Sequence, residues 1–166
     1  DQGNQSPHLI SASGKITTRF KYNPSQSFDN TVFIKTSSTG TDFSTTDTVG
    51  CVVRAGDQFA CALSTGGIDD AIPGRVGDVP FIGCGLYAGP DGAVAATGDG
   101  EAISMQVTAL GAYQLIEQGM DPKAIVPTVI AWFKETTPFG IILVSKTGFA
   151  GGTNRDMAWT ASEMTH

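Results

Sequence analysis

Short apolar stretches alternate with turn-forming sequences along most of the chain, and they predict β-strands. TVGCVVR (residues 48–54) and QFACALST (residues 58–65) flank AGD, which is typical of a β-hairpin. Both stretches are apolar at successive positions, a pattern typical of strands covered on both faces. Further strands are predicted at NTVFIKT, GAVAAT, FGIILVS, FAGGTN and MAWTA, with KTG as a turn between FGIILVS and FAGGTN.

A helical period replaces this pattern between residues 101 and 118. Apolar side chains recur there every three or four positions, at Ile103, Val107, Leu110, Tyr113 and Ile116, and Gly119 ends the pattern. We therefore expect one helix over this interval.

A second helix is predicted to begin after Asp121, which can cap it, with Pro122 at its first position. The residues Ile125, Val129 and Trp132 would share one face. Pro127 is expected to kink or delay this helix, and both Trp132 and Trp159 are expected in the core. The order of strands, two helices and strands indicates an α+β fold with helices packed on an antiparallel sheet whose other face is also covered.

Composition divides the chain between Asp47 and Thr48. Residues 1–47 are rich in Ser and Thr and carry no net charge, whereas residues 48–166 carry the whole net charge of −6. SSTGTDFSTTD, just before the boundary, is polar and aperiodic and predicts an exposed loop. We therefore place a boundary between residues 1–47 and residues 48–166.

Charge and cysteine content limit the function. A net charge of −6 argues against a duplex nucleic-acid binder, and no apolar run is long enough to predict a membrane span. Three cysteines without CxxC spacing favour a reduced, cytoplasmic protein, although a cross-strand pair of Cys51 and Cys61 stays open. His8 and His166 do not cluster with cysteines, so neither a metal nor another cofactor is expected.

Thr48 stands where the polar loop meets the apolar strand. A threonine hydroxyl needs a nearby base before it can act as a nucleophile, and its own α-amino group can serve if the preceding peptide bond is cut. The simpler reading is that a loop ends here and a strand begins. Similarly, Arg75 and Asp78 could form an ordinary exposed ion pair, and TGDGE could be only a strand-to-helix turn.

Four motifs that occur in order along the chain favour the functional interpretations over these simpler ones. DTVG, STGG (residues 64–67), PGRVGD (residues 73–78) and TGDGE (residues 97–101) together resemble the asparaginase-like Ntn-hydrolases, a family that includes plant-type L-asparaginases, isoaspartyl peptidases and glycosylasparaginases. The resemblance covers residues 48–166, the part corresponding to the family's β-subunit. It implies a four-layer αββα sandwich, or the β-subunit half of one, and self-cleavage between Asp47 and Thr48. Residues 1–47 would then be a propeptide or a short α-subunit-like segment with a cleavage loop, and residues 48–166 the β-subunit-like catalytic region.

The resemblance also implies roles for individual residues. Thr48 would be the nucleophile and Thr65 would tune it. Arg75 and Asp78 would hold the α-carboxylate and α-amine of the substrate, Thr97 and Gly98 would form the oxyanion hole, and Gly100 would offer backbone to the amine. STGG and TGDGE favour the asparaginase and isoaspartyl-peptidase branch, which implies L-asparagine or a β-aspartyl dipeptide as substrate.

Residues 1–47 depart from the family, because its α-subunit is much longer. The missing part could be a separate chain, the two N-terminal strands could complete the sheet, or the chain could be a degenerate homologue. A homodimer or an α/β hetero-oligomer is therefore expected. The alternatives to an amidohydrolase are a non-catalytic or unprocessed homologue that acts as a binding or assembly subunit, and a threonine endopeptidase that cuts after Asp.

Overall fold

A computed structural model describes the backbone of residues 9–10, 16–18, 31–35 and 48–162, with side chains from residue 48 onwards. The strands are β1 (Leu9–Ile10), β2 (Ile16–Thr18), β3 (Thr31–Lys35), β4 (Thr48–Ala55), β5 (Gln58–Thr65), β6 (Leu86–Gly89), β7 (Gly92–Gly98), β8 (Phe139–Ser145), β9 (Phe149–Thr153) and β10 (Trp159–Ser162). The helices are α1 (Gly100–Met105), α2 (Thr108–Glu117) and α3 (Pro122–Ile130). The fold is therefore α+β, as the order of elements predicts.

The first sheet has the strand order β10-β3-β4-β5 and is antiparallel throughout. The predicted hairpin is confirmed: β4 and β5 pair from Thr48 opposite Thr65 to Ala55 opposite Gln58, across a two-residue turn. The central strand β3 comes from residues before Thr48 and lies between β10 and β4. The N-terminal part of the chain thus contributes backbone to the sheet that carries Thr48. Strands β1 and β2 form a separate antiparallel pair.

The second sheet has the order β6-β7-β8-β9 and is also antiparallel. Strand β6 is the one member that the sequence pattern did not predict. Strands β7 and β8 are buried at nearly every position, because one face of this sheet packs on the first sheet and the other on α2 and α3. Their uninterrupted apolar sequences match this middle-layer position.

Two cores follow from the layering. The larger lies between the second sheet and the helices and contains Ile103, Tyr113, Ile125, Val129 and Leu143 among others. The smaller lies between the two sheets and is built from Val52, Ala93, Ala95, Ile142 and Val144. Burial of these apolar groups is the main driving force for the fold, at about 25 cal/mol per Å².

The outer face of β4 and β5 is less covered than their apolar sequences predict. Val49 on this face is 53% exposed, and Ala60 is exposed as well. Cys51 lies opposite Ala62 on this face, whereas Cys61 lies opposite Val52 on the inner face. The two thiols therefore point to opposite sides of the sheet, and all three cysteines are free.

The helix predicted over residues 101–118 is in fact two helices, because Val107 breaks it in the left-handed conformation with φ 49°. The first amides of α2 are satisfied from elsewhere: Ala109 N–H donates to the Cys84 carbonyl at 3.0 Å and Leu110 N–H to the Gly83 carbonyl at 2.9 Å. The loop at residues 83–84 thus caps α2 in place of the preceding turn. Periodicity within the helix could not reveal this long-range cap.

The start of α3 is as predicted, with Pro122 in its first turn and the Asp121 carboxylate accepting from Lys123 N–H at 2.7 Å. The helix runs through Pro127 to Ile130. The prediction of core positions for Trp132 and Trp159 was wrong, since they are 37% and 42% exposed. Their flat rings instead lie over Gly111 and Gly151, where the missing side chains leave room.

None of the helices within the described ranges is long and apolar enough to cross a membrane.

The conformation of Val107 leads to a stability prediction. A left-handed β-branched residue is strained by about 1–2 kcal/mol, whereas Asn tolerates this region. We expect Val107→Asn to raise the melting temperature by about 2–4 °C per kcal/mol recovered. Part of the gain is offset because a Val107 methyl group packs near Gly83.

Thermal unfolding followed by circular dichroism would measure the change. Met105→Asn is the matched control, since Met105 is exposed and helical and should gain nothing. Equal effects of the two substitutions would contradict the assignment of strain to Val107.

Candidate active site

Thr48 and Thr65 form a hydroxyl pair where β4 begins and β5 ends. Antiparallel register places them directly opposite each other. The Thr48 hydroxyl donates to Thr65 Oγ1 at 2.9 Å, and Gly67 N–H donates to the same oxygen at 3.0 Å. Thr65 Oγ1 thus accepts two hydrogen bonds, which fix its position beside the Thr48 hydroxyl.

The packing of the two sheets brings Thr97 towards this pair. The position that a Cβ on Gly50 would occupy is 3.6 Å from Ala95 Cβ, and Val52 packs with Ala93 in the core between the sheets. Side chains alternate along a strand, so Thr48 shares a face with Gly50 and Val52, and Thr97 shares one with Ala95 and Ala93. Two residues further along each strand, the same alignment places Thr48 and Thr97 at the same end of the sandwich, on facing surfaces.

Gly98 ends β7 with φ 135°, a conformation that only glycine adopts readily. A side chain at Gly98 would strike the Pro138 carbonyl oxygen. The same carbonyl accepts a hydrogen bond of 2.9 Å from Asp99 N–H, and the Asp99 carboxylate then caps α1 by accepting from Ala102 N–H at 2.9 Å. The turn at residues 98–99 is therefore held against Pro138.

Arg75 reaches this turn through a bidentate ion pair. Its Nε and Nη2 donate to the two carboxylate oxygens of Glu101 at 2.6 and 2.7 Å. Parallel hydrogen bonds of this kind orient the guanidinium group as well as attract it. A substrate carboxylate would therefore meet an oriented Arg75, and it must use Nη1 or displace Glu101.

Asp78 lies under the same turn and is 6% exposed. Side chains at Gly85 or Gly100 would come within 2.6 Å of Oδ2 or 2.9 Å of Oδ1, so glycine at both positions makes room for the carboxylate. Asp78 Oδ2 is buried and has no hydrogen-bond partner. Burial raises the pKa of Asp78 from 3.8 to about 6, while its own backbone N–H and then Arg75 oppose the shift.

A buried acceptor without a partner costs free energy in the absence of a ligand. A cation with several N–H donors, such as an ammonium group, would satisfy Asp78 Oδ2. The pair of Asp78 and Arg75 is thus chemically suited to an amine beside a carboxylate.

One end of the sandwich therefore brings together the motif residues Thr48, Thr65, Arg75, Asp78, Thr97, Gly98 and Gly100. The alternative of an exposed Arg75–Asp78 ion pair was wrong, because the ion-pair partner of Arg75 is Glu101 and Asp78 is buried.

Tyr87 packs on Tyr113 with ring centroids 4.8 Å apart, on the helical side of the second sheet. Asp47, His8 and His166 lie outside the described residues.

The sequence patterns missed two residues of this region. Glu101 was recognised as the start of a helix and not as the partner of Arg75. The side chain of Asn154 bonds to the segment that holds the 98–99 turn, and GGTNRD matched the family motifs only loosely. In the part of the chain with described side chains, no three His, Cys, Asp or Glu residues gather as a metal site.

The comparisons with known proteins agree on one family. The family model described as Asparaginase matches residues 10–165. The match extends well upstream of Thr48, so the expectation that residues 1–47 as a whole depart from the family was wrong. The isoaspartyl peptidase/L-asparaginase of Danio rerio is 41% identical over 124 residues, which is 70% of this chain and 39% of that protein. The protein of the same name from Homo sapiens is 39% identical over 122 residues, covering 70% of this chain and 40% of that protein.

An archaeal relative, the plant-type L-asparaginase of Pyrobaculum calidifontis, is 43% identical over 88 residues, which is 52% of this chain and 29% of that protein. The chain spans about two fifths of the length of the isoaspartyl peptidase/L-asparaginase relatives that it matches.

The environment of Asp78 predicts an unusual dependence of stability on pH. Between pH 3.8 and about 6 the unfolded chain loses a proton from this group that the folded protein keeps. The free energy of unfolding should therefore fall by up to about 3 kcal/mol as pH rises through this window, at 1.36 kcal/mol per pKa unit. Asp78→Asn removes the titration, so its stability relative to the unsubstituted protein should increase from pH 4 to pH 6 and then level off.

Urea unfolding at several pH values from 4 to 8 measures this difference. Arg75 opposes the rise in the pKa of Asp78, and the neighbouring charges of Glu101 and Asp99 add to it. A difference between the two proteins that is constant over the whole pH range would contradict the burial of an unpartnered carboxylate at this position.

Proposed function

Since the chain belongs to the asparaginase family, which its match over residues 10–165 establishes, we propose that it is an N-terminal-threonine amidohydrolase. In this proposal the chain cleaves itself between Asp47 and Thr48. It then hydrolyses the side-chain amide of L-asparagine or the β-aspartyl bond of an isoaspartyl dipeptide. The relatives named isoaspartyl peptidase/L-asparaginase support this choice of substrates.

The hydroxyl pair of Thr48 and Thr65, 2.9 Å apart at the start of β4, is the observation that carries the proposal. After cleavage the α-amino group of Thr48 takes the proton of its own hydroxyl, and Oγ1 attacks the amide carbon of the substrate. Thr65 Oγ1 is fixed by Gly67 N–H and holds the nucleophile in place. No residue between 48 and 162 is a histidine that could serve as an alternative base.

The oxyanion of the tetrahedral intermediate would lie against Thr97 and Gly98. The hydroxyl of Thr97 and the N–H of Gly98 act as donors, and one such donor typically contributes about 3–4 kcal/mol to catalysis. The Thr48 ammonium group then protonates the nitrogen of the leaving group as the C–N bond breaks, and an amine or ammonia departs. Water hydrolyses the resulting β-aspartyl ester by the same sequence of steps and regenerates Thr48.

Arg75 and Asp78 select the substrate. The α-carboxylate binds the Arg75 guanidinium, and the α-ammonium group binds the unpartnered Asp78 Oδ2, with the Gly100 carbonyl as a second acceptor. The negative charge on Asp78 is available above about pH 6 and would be stabilised further by the bound ammonium group. Both charges are needed, so amides that lack a free α-amine and α-carboxylate should be poor substrates.

A fourth layer and an oligomer are part of the proposal. The described helices pack on the second sheet, while Val49 on the outer face of the first sheet is 53% exposed. A further helical layer over that face would complete an αββα sandwich and could belong to the same chain, to a second copy in a homodimer or to a separate α-part. The free thiols of Cys51, Cys61 and Cys84 are compatible with a cytoplasmic location.

The first test of this function is the N-terminal sequence after maturation. Denaturing mass spectrometry should find a fragment that begins at Thr48, and Thr48→Ala should remain intact and inactive because it has no hydroxyl to attack the Asp47 carbonyl. Thr48→Ser should still cleave. Thr46→Ala is the matched control and should behave like the unsubstituted protein.

Three outcomes would count against this function. An intact chain that binds aspartyl amides without hydrolysing them would favour a binding subunit. Hydrolysis of asparagine by Thr48→Ala would refute the nucleophile, and cleavage of folded proteins after Asp would favour the endopeptidase.

The second test concerns Arg75. Arg75→Lys keeps the charge and loses the fork of guanidinium donors that matches a carboxylate, in which each hydrogen bond to a charged group is worth about 1.5–3 kcal/mol. KM for L-asparagine should rise about 10–100-fold, with a smaller change in kcat. Arg54→Lys is the matched control, because Arg54 lies near the other end of β4 and bonds to the Lys146 carbonyl at 2.6 Å. Equal KM values for both variants would contradict the carboxylate site.

A further inference from the structure

Asn154 follows β9 and is joined by three hydrogen bonds to residues 137–139. Its backbone N–H donates to the Phe139 carbonyl at 3.0 Å, and its Oδ1 accepts from Phe139 N–H at 2.9 Å. Its Nδ2 donates to the Thr137 carbonyl at 2.8 Å. The side-chain amide therefore bonds on both sides of Pro138 and uses an acceptor and a donor that no aliphatic residue could supply.

Pro138, between these bonds, contacts the turn that follows β7. Its carbonyl accepts from Asp99 N–H at 2.9 Å and occupies the space that a side chain on Gly98 would need. The chain of contacts thus runs from Asn154 through residues 137–139 to the peptide group between Gly98 and Asp99.

Gly98 depends on such outside support because glycine has several accessible backbone conformations. Its φ is 135°, and glycine has no side chain whose packing could hold the backbone in that one conformation. The orientation of the Gly98 N–H must therefore come from its neighbours in space. The hydrogen bond from Asp99 N–H to the Pro138 carbonyl anchors the peptide group that follows Gly98. Gly98 itself lies opposite Phe139, whose backbone N–H and carbonyl both bond to Asn154.

We propose that Asn154 is a positioning residue for the turn at residues 98–99, and that it acts on Gly98 through residues 137–139. The inference rests on the proposed function, in which the Gly98 N–H stabilises the oxyanion. Asn154 needs no contact with the substrate for this role. Its effect should therefore be felt where negative charge develops, in the transition state, and not in the binding of substrate.

The first measurement is kinetic. Asn154→Ala should lower kcat for L-asparagine about 10–100-fold, which is part of the cost of losing one oxyanion donor, while KM changes less than about twofold. This split is the reverse of the one expected for Arg75→Lys. Gln106→Ala is the matched control, since the Gln106 amide also bridges two segments by donating to the Trp132 carbonyl at 3.0 Å, away from Gly98. It should leave kcat unchanged.

The second measurement does not need activity. Amide hydrogen exchange followed by NMR should show Asp99 N–H protected in the unsubstituted protein and in Gln106→Ala, and exposed in Asn154→Ala. The amides of the β7–β8 ladder should stay protected in all three, which shows that the variant is folded. Should Asn154→Ala fail to fold, Asn154→Asp keeps the acceptor for Phe139 N–H, loses the donor to Thr137, and should give a smaller change in the same direction.

Loss of Asp99 protection together with a fall in kcat supports the proposal. Retained protection, an unchanged kcat, or a rise in KM as large as the fall in kcat overturns it. An unsubstituted protein that hydrolyses no aspartyl amide overturns the proposed function, and the positioning role with it. The exchange data would identify that case, because Asp99 N–H would still be protected in the unsubstituted protein and would still lose this protection in Asn154→Ala.

Discussion

The close contact between β4 and β7 sets the geometry on which the rest of the site depends. Gly50 faces Ala95 across the two sheets, and a side chain at Gly50 would also strike Leu63 at 2.5 Å. Small residues on both strands thus let the two sheets pack closely and fix how β4 is aligned with β7. Because side chains alternate along each strand, this register sets Thr48 and Thr97 on facing surfaces. A larger residue at either position would separate the two halves of the site.

Asp78 shows how far the site departs from the arrangement that would be most stable. Its carboxylate is enclosed between Gly85 and Gly100, one oxygen has no partner, and burial raises its pKa to about 6. The fold tolerates this because the surrounding layers bury large apolar surfaces. Unsatisfied buried groups are rare in folded proteins and call for an explanation such as a ligand. This unpartnered acceptor lies near an oriented Arg75, so the two side chains offer opposite charges at neighbouring positions.

The sequence was sufficient wherever the determining interactions are local. The β4–β5 hairpin follows from AGD between two apolar runs, and α3 follows from Asp121 and Pro122. It was insufficient where a distant segment decides. The break at Val107 depends on carbonyl groups of residues 83–84, which satisfy the first amides of α2. Arg75 bonds to Glu101 over 26 positions of sequence and not to nearby Asp78, which no spacing rule indicates.

The same distinction applies to the TGDGE motif. Helix α1 has only six residues, and a helix of that length has little stability of its own. The turn before it is instead fixed from three directions: Pro138 binds Asp99 N–H, Arg75 binds Glu101, and Asp78 packs against Gly100. These contacts come from two other parts of the chain, the loop that holds Arg75 and Asp78 and the segment that holds Pro138. A motif of five residues therefore locates the turn, while the geometry of the turn depends on residues that the motif does not contain.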